Sequence, residues 1–369
     1  MRQFLIVLLL LPLPLVSQVK ILMPVVVKDT AGRPVTDLKQ SDFQVSGPKN
    51  ITIDKMWLVP PQTVSEQDSK APVVVLYDAV NIPTQIPGEN GKVSTSVAEK
   101  QATALRSFLE QVADRRLPVT LLVNTKDGLR LIYDSRTDPA VLAEALTMTA
   151  QSKTPATDAK LTSGNPSVDE QVKNLKLLAS ATWAPRSAMS AADDQMHSLI
   201  ELARVSSAIQ ERKALLWITT FPPVPATKFG EYWTNLMDPS YRRPLLPLYE
   251  AMIEELNAAR FSVYPLLWYW GDGPAYNGLL REGFPQIAES TGGLAFNLWD
   301  QGSILSAAEA AMRDFGPYYM LAVEVPTPQQ LDWIPVKIKV NRPGLTVRAA
   351  PGFLGLKPEK AAKTQAAHP

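Results

Sequence analysis

The chain contains no cysteine, which excludes disulfides, thiolate metal sites and cysteine nucleophiles together. Histidine is almost missing, since only His197 and His368 occur. A Ser-His-Asp triad or a histidine-based zinc site would have to rest on His197 alone. That residue falls inside a helical pattern and reads as part of a helix surface. Charge of one sign is not in excess either: 37 Lys+Arg stand against 36 Asp+Glu, for a net +1. There is no block of five or six like charges of the kind that marks an interaction tail. Nucleic acid normally requires a basic stripe, and an anionic membrane surface requires a polybasic cluster. Neither class of partner fits.

Catalytic motifs are scarce as well. No nucleophile elbow, metalloprotease helix or internal repeat occurs. Gly271-Asp272-Gly273 lacks the Lys-Ser/Thr and the glycine spacing of a phosphate loop. The carboxylate pairs Asp193-Asp194 and Glu254-Glu255 lie on helical patterns, where adjacent residues do not face each other, so they read as solvated faces. Long hydrophobic runs are limited to Phe4–Val16, which is too short for a bilayer-spanning helix of about 20 residues. With Arg2 before the run and the small residue Ser17 after it, the segment 1–17 reads as a signal peptide. An uncleaved N-terminal helix is the alternative. The expected location is therefore exported, periplasmic or extracellular, with no membrane span after signal removal.

What is present is a β–α/β–β pattern in 369 residues, enough for one large domain and a smaller one. Residues 18–60 carry short alternating apolar stretches, with turn chemistry at Asp29 and Gly32. A polar, proline-bearing stretch near 60–71 reads as a linker. Val73–Asp78 is a continuous apolar run ending in a carboxylate, the pattern of a strand buried on both faces. Gln101, Ala104, Leu105, Phe108, Leu109 and Val112 then fall at helical spacing. A second buried run, 118–123, turns through Asp127-Gly128 into 129–133 as a hairpin. Asp138-Pro139 opens a helix. Residues 151–190 read as a long irregular segment with one helix near 168–178. The strands 213–220 and 261–264 follow, with helices between and after them, then the short strand 294–296 and a helix at 304–315. Three strand patterns close the chain, at 318–325, 334–340 and 345–348, and a polar tail at 356–369 reads as disordered.

The expected fold is therefore α/β, a doubly wound, mainly parallel sheet at 70–316. Beside it, a small β-sandwich-like module is assembled from 18–60 and 317–355.

This order of elements resembles a von Willebrand factor A domain, and more closely the acidobacterial VWFA-related family of exported proteins. Several fragments carry the likeness. They include Val25-Val26-Val27-Lys28-Asp29-Thr30-Ala31-Gly32-Arg33-Pro34-Val35, Arg212-Lys213-Ala214-Leu215-Leu216-Trp217-Ile218, Val263-Tyr264-Pro265 and Thr291-Gly292-Gly293-Leu294-Ala295-Phe296. Tyr318-Tyr319-Met320-Leu321 and Asn341-Arg342-Pro343-Gly344-Leu345-Thr346-Val347-Arg348 complete the set. The likeness implies a metal-ion-dependent adhesion site of the form Asp-x-Ser-x-Ser at the end of the first sheet strand. Such a site also takes a Thr from a later loop and an Asp after the central strand. Magnesium wants octahedral oxygen ligands, and here the pattern is degenerate. Asp78 holds the first position, but Val80 and Ile82 replace the serines, and Thr219-Thr220 ends the central strand. Asn81, Thr219 and Thr220 offer neutral oxygens only. Asp78 is thus a weak metal candidate, and capping of the following turn by Asp78 and Asn81 is the favoured reading.

Trp268 and Trp270, just after the fourth parallel strand, either cover the sheet end or form a binding surface that stacks a sugar ring or anchors a partner. The expected function is a non-enzymatic, adhesion-type protein-interaction module without a cofactor. Its candidate residues are Asp78, Asn81, Thr219, Thr220, Trp268 and Trp270. The alternative is a glycan- or envelope-binding structural protein that uses the aromatic loop.

Overall fold

The structure is a computed structural model. It describes residues 18–47, 50–60, 73–81, 97–115, 117, 119–125, 127–134, 136–151, 163–179, 188–209, 212–219, 239–267, 284–297, 302–314, 316–326, 332–349 and 352–355. The expected signal 1–17, linker and tail lie outside the described residues, as do Ile82, Thr220, Trp268 and Trp270.

A six-stranded, mainly parallel sheet forms the centre. In chain order its strands are β4 (Val73–Asp78), β5 (Val119–Thr125), β6 (Gly128–Tyr133), β7 (Lys213–Thr219), β8 (Phe261–Leu267) and β9 (Phe296–Asn297). Their spatial order is β6-β5-β4-β7-β8-β9. All pairs are parallel except β5–β6, because Asp127-Gly128 turns the chain straight back. Gly128 takes φ 91, a left-handed conformation that glycine, lacking a Cβ, adopts without steric cost. β4 and β7 are buried at every position. That is why both read as uninterrupted apolar runs rather than alternating ones.

Helices cover both faces. On one side, α1 (Val97–Asp114), α2 (Pro139–Gln151), α3 (Pro166–Ala179) and the last helix, α6 (Ile304–Asp314), pack on Val73, Val75 and Tyr77. On the other, α4 (Ala188–Val205), α5 (Pro239–Ala258) and helical residues 284–290 pack on Val74, Leu76, Leu215 and Trp217. The helical stripe of α1 places Leu105, Phe108, Leu109 and Val112 in the first core, as its spacing predicts. Asp138 caps α2 by accepting from the Ala140 N–H at 2.8 Å.

Antiparallel sheets are built from the two ends of the chain. β1 (Gln18–Lys28) lies between β10 (Tyr318–Pro326) and β13 (Thr346–Ala349), and β3 (Thr52–Val59) borders β10. A ribbon of β2 (Phe43–Ser46) with β12 (Lys337–Val340) faces this sheet across a core of Met23, Val25, Val27, Phe43, Tyr319, Leu321, Val323 and Ile338. β11 (Asp332–Pro335) pairs with β14 (Gly352–Gly355).

Three features depart from the sequence reading. The helix expected near 168–178 is α3, but α4 already begins at Ala188, inside the segment read as irregular. α5 begins at Pro239 and runs through Pro244 and Pro247, although interior prolines normally break a helix. The expected strand 334–340 is two strands divided at Val336, each with a different partner.

Candidate functional site at the carboxyl end of the parallel sheet

From β4 the chain moves through β5 to β6 on one side of the sheet. It then returns to β7 and continues through β8 to β9 on the other. Between β4 and β7 the connections diverge, and open α/β sheets bind ligands beyond the carboxyl ends of the strands at such a switch point. Asp78 ends β4 and Thr219 ends β7. Both are fully buried, at 0% and 1% exposure.

Asp78 is the centre of a hydrogen-bonded knot. Thr219 Oγ1 donates to its Oδ2 at 3.0 Å. Asn124, its register partner on β5, donates from Nδ2 to Oδ1 at 3.3 Å. The Gln195 amide, reaching down from α4, donates to Oδ2 and also to Thr219 Oγ1 at 3.1 Å. One turn further along α4, Ser198 Oγ donates to Asn124 Oδ1 at 2.9 Å. Gln195 and Ser198 are three residues apart and therefore share a helix face. α4 is thus fastened over the switch point by two polar side chains inside an otherwise apolar contact.

The knot has an electrostatic consequence. A buried carboxylate is stabilised when neutral donors aim at it, since hydrogen bonding to the charged form favours that form. The Tyr77 hydroxyl is pushed up from its ordinary value by burial and by the charge of Asp78. It donates instead to Gln101 Oε1 at 3.1 Å.

The donors around Asp78 do not fit magnesium. Amide N–H and hydroxyl groups from Asn124, Gln195 and Thr219 point at both carboxylate oxygens, where a cation would need lone pairs. Val80, in the 3-10 turn 79–81 after β4, is apolar. Among the described residues no group of three or more His, Cys, Asp or Glu converges.

The structure therefore brings two of the sequence candidates together, Asp78 and Thr219. Asn81 lies in the turn directly after β4, and Thr220, Trp268 and Trp270 lie outside the described residues. Gln195, Asn124 and Ser198 were not anticipated. One signal for Asn124 was available: three neighbouring buried strands each end in a polar residue at the same edge. His197 is exposed on α4 beside Asp193, as the helical pattern suggests.

No family model matches the chain, and no curated protein matches it. Among solved structures, the chain is similar to the pilus adhesin SpaC from Lactobacillus rhamnosus GG, with a TM-score of 0.34 and 9% identity. That match covers 85% of this chain but 48% of the adhesin chain, so the chain spans about half the adhesin's length.

Proposed function

We propose that the chain is an exported, non-enzymatic, adhesion-type protein-interaction module of von Willebrand factor A-like architecture. Its ligand end is held by hydrogen bonds in place of a metal ion. The supporting observation is the Asp78 knot. A buried carboxylate stands at the switch point of a doubly wound sheet, and the Gln195 amide occupies the space beside it. The strand order with one antiparallel edge strand fits the resemblance read from the sequence fragments. In this reading α4 and the strand ends form a rigid platform, and the residues that follow β7 and β8 in sequence, Thr220, Trp268 and Trp270, make the contacts. Rigid scaffolds that display loops are a common way to carry binding residues.

The test is a binding screen of the mature chain against envelope and host-surface proteins, run with and without a chelator. Binding that survives chelation and is lost in Trp268→Ala supports the proposal. Binding that requires magnesium contradicts the metal-free site. A response confined to glycans and lost in Trp268→Ala would favour the alternative of a glycan-binding structural protein.

A further inference from the structure

A second buried carboxylate lies at the opposite end of the parallel sheet and takes no part in the knot. Asp314 closes α6 shortly before the chain enters β10, and its side chain is 6% exposed. Its Oδ1 accepts from Lys28 Nζ at 2.6 Å, and its Oδ2 accepts from Arg348 Nη2 at 2.7 Å. The Tyr264 hydroxyl donates to Oδ2 at 3.2 Å. Lys28 ends β1 and Arg348 lies in β13, so both cations come from the antiparallel layer. Asp314 and Tyr264 belong to the α/β layer.

Contacts also run the other way. Arg212, immediately before β7, donates to the Gly316 carbonyl. It holds Ser262 Oγ through Nε at 2.9 Å and Nη2 at 2.6 Å. Its guanidinium carbon lies 4.3 Å from the centre of the Tyr318 ring of β10, within cation–π range. Arg348 Nη2 reaches the Gly292 carbonyl at 3.3 Å. That turn is fixed against β8: Thr291 Oγ1 accepts from the Val263 N–H at 3.0 Å, and a Cβ on Gly293 would overlap the Val263 carbonyl. Sequence fragments that looked scattered thus meet in one place. They are Lys28, Arg212, Thr291-Gly292-Gly293, Tyr318 and Arg348.

We propose that this junction is an ionic latch that makes the antiparallel layer and the α/β layer open as one cooperative unit. Each layer has its own apolar core, and segments with separate cores can open separately. Among the described residues, the apolar cluster on the β10 face that carries Tyr318 holds Val26, Tyr318 and Met320, with Val59 against it. Pulling the layers apart would strand Asp314 without either cation. These charge-assisted hydrogen bonds would break together with the Arg212 contacts to Gly316 and Tyr318, so the contacts across the junction are lost as a set. The junction lies at the amino end of β7, roughly 20 Å from the Asp78 end at the usual rise per strand residue. It can therefore be altered without touching the proposed ligand end.

The experiment is hydrogen exchange on the full mature chain, comparing the natural protein with Asp314→Asn. Amides of β1 and β13 should exchange at least about tenfold faster in the variant, while those of β4 and β7 keep their protection; sub-global opening of this kind is what exchange resolves. Equal acceleration in all four strands, or none, would overturn the latch. Calorimetry supplies a second reading. One transition in the natural protein and two in the variant support the proposal, whereas one transition in both contradicts it. If Asp314→Asn does not fold, Arg348→Lys keeps a cation but lacks the guanidinium reach to Gly292, and it should show the same selective pattern at smaller amplitude.

Discussion

Asp78 and Asp314 are both carboxylates removed from water at opposite ends of one sheet, and the fold satisfies them differently. Around Asp78 the described partners are two amides and a hydroxyl, all neutral, supplied by neighbouring strands and by α4. Around Asp314 the partners are Lys28 and Arg348, two full charges carried in from another layer, with the Tyr264 hydroxyl. A neutral shell keeps the field local and needs several donors in fixed positions, which suits an edge that must hold its shape. A cationic shell is stronger per contact, but it depends on partners remaining docked. The first arrangement ties the strand ends to α4, and the second joins two layers.

The difference in strength can be broken most directly at Asp314. Asp314→Ala should cost about 3–5 kcal/mol, because it leaves Lys28 and Arg348 facing each other with little solvent. The transition of the antiparallel layer in urea unfolding of the variant measures this. Burial raises the Asp314 carboxyl, but Arg348 and Lys28 outweigh it and hold the group below its ordinary value. Its stabilisation is therefore complete above the unfolded carboxylate value and is lost as pH falls through the lower folded value. The difference between natural protein and variant should shrink in acid. A difference that is constant with pH would separate the loss from ionisation.

The neutral shell should give a smaller effect. Gln195→Leu removes one hydrogen bond to Asp78 and one to Thr219 while keeping most of the volume, and it should cost about 1.5–3 kcal/mol, the range for bonds to a charged group. The loss should persist in high salt, since no ion pair is screened.

A different effect, confined to alkaline pH, belongs to a carboxylate with neither kind of shell among the described residues. Glu250 on α5 is pushed up to about 8 by burial and by the charge of Glu254. The folded state then binds more protons than the unfolded one between the ordinary glutamate value and about 8. Stability therefore falls as pH rises across that window. Glu250→Gln should raise the melting temperature at pH 9 and leave it unchanged near pH 4. A gain in acid would contradict this.

Much of the α/β layer is legible in the sequence because strands buried on both faces leave unbroken runs such as Val73–Asp78 and Lys213–Thr219. The hairpin at Asp127-Gly128 and the cap at Asp138 are legible because turn and cap chemistry is local. The first half of α5 is hidden by Pro244 and Pro247, which normally break a helix, while Leu245, Tyr249 and Met252 further along it pack with α4 and the sheet. The division of 334–340 follows from two different partners, which no local pattern reveals. At the site, Asp78 and Thr219 stand out as polar ends of apolar runs. Gln195 and Ser198 do not, since polar residues on an amphipathic helix ordinarily read as its wet face. Lys28, Arg212, Asp314 and Arg348 look like surface charges until the topology brings β1, β13 and α6 together.

In the proposed function the Asp78 end works without a metal. Calorimetric titration of the mature protein with magnesium, manganese and calcium tests it, with Asp78→Ala as control. The predicted result is no saturable heat at millimolar ion in either protein. Saturable binding to the natural protein that disappears in Asp78→Ala would contradict it.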